Sequence, residues 1–121
     1  MRADVVKLVP QDITTMPATI RVGYQDYTVE DWKPSEAHVN SRDGECDKHH
    51  MVIRVRADLE RRRKAEVLLH EVLHAAFSMG DLSGGDSEEK TVTVLGCQMT
   101  QVWRDNPEFI AFMEASLRGG K

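Results

Sequence analysis

The run His70-Glu71-Val72-Leu73-His74 sets two imidazoles four residues apart with a carboxylate beside the first. On a helix that spacing stacks the rings one turn above each other on a single face, so both can meet one ion while Glu71 stands next to it. The pattern is H-E-x-x-H, a zinc site with its own base. A zinc ion held this way takes a third protein ligand and keeps one position for water, whose pKa it lowers to roughly 7, and the glutamate then accepts the proton. The chemistry implied is hydrolysis, most often of a peptide bond.

The third ligand must come from elsewhere. The histidines are His38, His49, His50, His70 and His74, so none follows the motif. Phe77 and Gly80 occupy the Gly and His positions of the longer H-E-x-x-H-x-x-G-x-x-H arrangement, which is thereby excluded. A ligand following the motif must then be a carboxylate, with Asp81, Asp86, Glu88, Glu89, Asp105, Glu108 and Glu114 as candidates, and His-His-Glu sites take theirs from the next helix. Glu88 and Glu89 open that helix. Glu88 shares a stripe with Val92, Leu95 and Met99, whereas Glu89 shares one with Thr93 and Gly96, small residues that leave room for an ion. Glu89 is the first choice and Glu88 the alternative, with Thr93 placed to hydrogen-bond the ligand. A capping box from Asp86 to Glu89 competes for the same carboxylate. Cys46 is a further possible ligand, extra or inhibitory. A donor for the carbonyl oxygen is open among Tyr24, Tyr27, His49, His50 and Arg104.

Several elements must position these groups. The motif lies in an apolar run from Ala65 to Phe77, which predicts a helix from Leu59 to Met79, capped by Asp58, ended by Gly80 and apolar nearly all round. In a buried helix, two imidazoles and a carboxylate are costly without a metal to satisfy them. Arg61 to Lys64 load its first turns with positive charge, against the helix dipole; a solvated turn explains this, and an anionic partner is the alternative. A second helix is predicted from Asp86 or Ser87 to Arg104, with Val92, Leu95, Met99, Val102 and Trp103 inward. A third starts at Asn106-Pro107 and stops at Gly119-Gly120.

Ahead of these helices, two alternating runs around Gln25-Asp26 read as a hairpin, residues 33 to 48 as a loop with a helical turn near Ser35 to Val39, and Met51 to Arg56 as a third strand. An exposed edge on that strand would let an extended peptide substrate add beside the zinc. The expected fold is α+β: a small, mainly antiparallel three-stranded sheet packed on the zinc-bearing helix, with two further helices. Residues 1–17 form an irregular lead-in and 18–118 one domain.

Composition narrows the classes. The net charge of -4 argues against general nucleic-acid binding, and no apolar stretch suits a membrane span or a signal peptide. A cytoplasmic protein with two free thiols, Cys46 and Cys97, is expected.

The succession of hairpin, Gly44-Glu45-Cys46-Asp47, strand Val52 to Val55, His70-Glu71-Val72-Leu73-His74, and Glu88-Glu89 heading a helix through Arg104-Asp105-Asn106-Pro107 resembles small gluzincin-type metallopeptidase domains of phage genomes. It is also similar to the catalytic core of ImmA/IrrE-type peptidases and, more distantly, to SprT-like domains. The resemblance covers Thr19 to Leu117. It implies a zinc-dependent peptidase with a minimal zincin-like fold, in the host cytoplasm if phage-encoded. Two other classes fit the same residues: a zinc-stabilised binding module without activity, and a nucleic-acid-associated regulator using the second and third helices joined across Asp105-Asn106-Pro107 with the Arg61 to Lys64 cluster.

Overall fold

A computed structural model describes residues 15–35 and 42–118. The order is β1 (Thr19–Val22), β2 (Gln25–Trp32), β3 (Gly44–Asp47), β4 (Val52–Arg56), α1 (Arg61–Met79), α2 (Glu88–Asp105) and α3 (Pro107–Arg118). The α+β class is as expected, but the sheet has four strands in the order β1-β2-β4-β3 and is mixed: β2 and β4 run parallel, and the outer pairs run antiparallel. The lead-in before Thr15 and most of the helical turn expected near Ser35 to Val39 lie outside the described residues.

The strand missed in the sequence is β3. Its four residues are all half-buried, with no alternation, and a glycine, a cysteine and two acidic residues at a short edge strand look like a loop. Asp47 turns the chain back, its carboxylate accepting from the His50 backbone N–H at 3.0 Å, and Met51 closes the turn at φ +57°. With β3 in place, Val52–Arg56 is an interior strand bonded on both sides, so the edge expected there for a peptide is already occupied. The first hairpin also turns two residues earlier than Gln25-Asp26. Gly23 supplies φ +64° at the turn, and the pairing runs from Val22 opposite Gln25.

One face of the sheet carries Ile20, Val22, Tyr27, Ile53 and Val55, all buried, and α1 lies across it through Ala65, Leu68, Val72, Ala75 and Ala76, a 3.6-residue stripe. On the opposite face Arg54 binds Glu45 and, at 3.4 Å, Glu30, so its charge is neutralised by the flanking strands. Helix α1 begins two residues later than expected: Glu60, not Asp58, caps it by accepting from the Arg63 N–H, while Asp58 pairs with Arg56. Helix α2 is capped by Ser87, whose hydroxyl accepts from the Lys90 N–H, and turns Leu95, Met99 and Val102 inward. Val92 and Trp103, expected on that stripe, are 61% and 64% exposed. Val94 instead packs at the end of α1, where a Cβ on Gly80 would stand 2.4 Å from it. Phe109 and Phe112 of α3 complete the core. No helix among the described residues is long and apolar enough to cross a membrane.

Candidate active site

His70 and His74 lie on the side of α1 away from the sheet's centre, and both are exposed. Their ring centroids are 4.8 Å apart at an interplanar angle of 74°, the juxtaposition that the spacing predicts. The expectation that this helix is buried all round is corrected here: Leu73 is 38% exposed, and the imidazoles need no metal to offset burial. Glu71 is the buried member, at 6%. It is flanked by the buried pair Val67–Leu68 and Val72, and no described residue hydrogen-bonds its carboxylate. Burial therefore raises its pKa, a shift opposed by His70, His74 and Arg42 and reinforced by Glu45.

These three residues border a cleft of about 670 Å³ whose far wall is β3, through Gly44 and Cys46. Gly44 is there because nothing larger fits. A Cβ on it would lie 2.6 Å from Val67 Cγ1, 2.9 Å from the Arg54 carbonyl and 3.2 Å from Glu71 Oε2. Edge strand and helix thus approach closely over the carboxylate. Cys46, half-buried on the same wall, has its thiol pushed up to about 11, chiefly by burial and next by the charge of Glu71.

Compared with family models, curated proteins and solved structures, the chain matches none. The site's own geometry carries the assignment.

That geometry brings together two of the expected ligands and the base, and leaves the third ligand apart. Glu88 and Glu89 are both exposed, and neither borders the cleft. Glu89 accepts from the Thr93 hydroxyl at 3.3 Å, the pairing expected of that threonine. The competing capping box does not form: with Ser87 as the cap, the third helical residue is Lys90. Among the described residues no three of His, Cys, Asp and Glu converge tightly enough to hold a metal. The pair offers two exposed imidazole donors of the type zinc takes.

None of the expected oxyanion donors reaches the cleft. Tyr27 is buried in the core, Tyr24 is 69% exposed on the hairpin, and Arg104 is paired with Asp105 at 2.8 Å. His49 and His50 contact each other on the β3–β4 turn, with His50 Nδ1 2.9 Å from Asp47. The cleft's cations are Arg42, Lys48 and Arg63. Arg42 and Lys48 escaped the sequence reading because they flank a strand taken for loop; the signal was Asp47 as a turn former ahead of an alternating run.

Proposed function

We propose that the protein is a zinc-dependent metallopeptidase of the small gluzincin type, hydrolysing peptide bonds with Glu71 as general base. The observation that carries this reading is the His70–His74 pair, 4.8 Å between rings, open on a cleft into which a buried carboxylate faces. His70 and His74 would hold the zinc, with Glu89 as third ligand and Glu88 as the alternative. Zinc, when bound, lowers the pKa of a water in its open position to about 7 and polarises the substrate carbonyl.

Glu71 then has two proton transfers to make. It takes one proton from the attacking water as the water oxygen bonds to the carbonyl carbon, and it returns that proton to the amine nitrogen as the C–N bond breaks. Its burial supports this role, since a carboxylate stripped of solvent is a stronger base. The substrate is a polypeptide laid along β3. The Arg56 N–H donates to the Asp43 carbonyl, which makes Asp43–Arg56 a hydrogen-bonded pair. By alternation the main-chain groups of Gly44 and Cys46 then point away from β4, towards the open edge. An extended peptide can pair with them.

One observation favours a second reading, a zinc-carrying binding module without peptidase activity: Asp43, Glu45, Cys46 and Glu66 line the cleft, yet among the described residues none converges with His70 and His74 closely enough to complete a metal site. Of the basic cluster offered for a nucleic-acid partner, Arg63 pairs with Asp43 at 2.9 Å, Lys64 pairs with Asp31 at 3.0 Å, and Arg61 donates to the Ala115 carbonyl.

Elemental analysis of protein purified without added zinc, together with cleavage of unfolded fluorescein-labelled casein, tests the assignment. Wild type should carry zinc and cleave. His70→Ala and His74→Ala should lose the metal, and Glu71→Gln should keep it while cleavage falls by about 10²–10⁴. Loss of zinc in Glu89→Ala but not Glu88→Ala would identify the third ligand. Unchanged zinc in both histidine variants removes the site; zinc without cleavage in wild type selects the binding module.

A further inference from the structure

Strand β3 ends the sheet, and the outward main-chain groups of Gly44 and Cys46 mark the edge along which the peptidase reading lays its substrate. Which peptide fits there rests on that reading, deepens it, and is decided by the side chains beside the edge. The register sets Glu45 opposite Arg54 and Asp47 opposite Val52, on the face away from the buried Ile53 and Val55. Both carboxylates are partly exposed, at 26%. Glu30 of β2 stands on the same face, and one guanidinium serves all three acids: Arg54 binds Glu45 and lies 3.4 Å from Glu30 and 3.9 Å from Asp47. Arg42 adds a loose contact to Glu45 at 4.0 Å, and His50 Nδ1 meets Asp47 at 2.9 Å. Of the other cations at the cleft, Arg63 is held by Asp43 at 2.9 Å and Glu66 at 3.1 Å, while Lys48 pairs with neither Glu45 nor Asp47 and acts on the Cys46 thiol. Three carboxylates thus face two guanidiniums, one of them loosely held, and the row stays acidic.

A strand added at this edge runs about 4.8 Å from β3, and its side chains alternate between the two faces. Those on the Glu45 face come within about 5 Å of Glu45 and Asp47, Cβ to Cβ, where opposite charges attract and like charges repel. A second copy of β3 would set the same acidic row against itself. The charge that discourages self-pairing therefore favours a basic occupant. We propose that β3 binds extended peptides carrying Lys or Arg at two alternate positions, i and i+2, with Glu45 and Asp47 as the residues that select them. The peptide residue between those two then faces the side of Gly44, Cys46 and the His70–His74 cleft.

The test uses the full chain with its metal and reads binding by fluorescence anisotropy, in the Glu71→Gln background so that no peptide is cut. Three fluorescein-labelled peptides on one Ser/Thr/Val frame are compared: two Lys at i and i+2, two Lys at i and i+1, and two Glu at i and i+2. The first should bind about tenfold more tightly than its Glu counterpart, the scale of two cross-strand charge pairs, and about threefold more tightly than the adjacent-Lys peptide, which puts one Lys on the acidic face. Raised salt should narrow both ratios. The double variant Glu45→Gln/Asp47→Asn keeps acceptors for Arg54 and for the His50 N–H. It should melt as cooperatively as its parent and bring the Lys-to-Glu ratio below about twofold. Glu66→Gln, on the helix side of the cleft, should leave that ratio as it is. Equal binding of the Lys and Glu peptides or of the two Lys peptides, no binding of any, a ratio that survives the double variant, or one that falls as far in Glu66→Gln overturns the assignment. A dimer in sedimentation that Cys46→Pro dissolves gives the edge to a second copy and overturns it too. Casein cleavage by wild type without any charge preference removes the selection by Glu45 and Asp47 and leaves the peptidase; charge-selective binding without cleavage in wild type removes the peptidase and leaves the selection.

Discussion

The two edges of the sheet are treated in opposite ways. At β1 the end of α2 imitates a neighbouring strand. The Asn106 side chain accepts from the Arg21 N–H at 2.7 Å and donates to the Arg21 carbonyl at 2.9 Å, while Gln101 accepts from the Gly23 N–H at 2.6 Å. That edge is sealed by two amide side chains from a sequence 78 to 85 residues away. At β3 the outward main-chain groups of Gly44 and Cys46 have no hydrogen-bond partner among the described residues, and the strand borders the cleft with His70, Glu71 and His74. An unpaired edge invites pairing with another chain, and proteins usually blunt it. Here one edge is blunted and the other lies open beside the His70–His74 cleft, the arrangement that the proposed peptidase reading needs.

Breaking the sealed edge should have the largest effect on the fold. Asn106→Ala removes hydrogen bonds to both main-chain groups of Arg21 and to the Val102 carbonyl, in a buried position, and strands the Arg21 N–H, while the Arg21 carbonyl keeps the Gln101 Nε2 donor at 3.1 Å. A loss of about 2–3 kcal/mol is expected from urea denaturation, at the scale of buried groups left unpaired. Zinc content and cleavage per folded molecule should hold. A stability change below about 0.5 kcal/mol would mean that the amide contributes no more than an ordinary surface residue.

Breaking the open edge should leave the fold and strike the substrate. Cys46→Pro deletes an N–H that points away from β4, so the ladder to β4 survives, and proline is tolerated on an edge strand in that orientation. Losing one main-chain hydrogen bond to a bound peptide is worth about 1 kcal/mol, so KM for casein should rise roughly fivefold to tenfold, with kcat and zinc content little changed. Cys46→Ala controls for the thiol and should leave KM as it is. An unchanged KM in the proline variant would show that the substrate does not add to this edge.

The same contrast explains what was legible in the sequence. The three helices and the His70–Glu71–His74 turn were, because a 3.6-residue period and caps such as Asn106-Pro107 are local signals. The faces of α2 were not: which side of Glu88–Asp105 turns inward depends on Val94 meeting Gly80 and on Asn106 gripping Arg21, contacts that no window of sequence contains. Strand β3 was lost for a related reason. Its two inward residues are a glycine and a cysteine, chosen by the closeness of α1 rather than by β propensity, so its alternation carries almost no hydrophobic signal. The parallel pairing of β2 with β4 likewise rests on a long crossover. Glu71 was recognised by motif, yet its burial under Gly44 was visible only once that strand was placed.

The smallest effect sharpens the comparison from inside the open edge. Cys46 lies on the inner face of β3, half-buried, with its thiol pushed up from 9.0 to about 11, whereas Cys97 is exposed on α2. The raised pKa means that the folded chain holds this proton more tightly than the unfolded chain does. The stability linked to it is therefore fully present below about pH 9 and is lost as the pH rises from 9 towards 11, where the unfolded thiol ionises first. The slope of unfolding free energy against pH over that window should be shallower in Cys46→Ala than in wild type, a difference that cancels the contributions of lysines and includes the part of the upward Tyr27 shift that the Cys46 charge causes. Iodoacetamide should modify Cys97 within minutes at pH 8 and leave Cys46 behind, since only the thiolate reacts. Equal alkylation of the two at pH 8 would mean that β3 does not shelter its inward side chains, and that the cleft wall opens more freely than the close packing of Gly44 on Val67 and Glu71 allows.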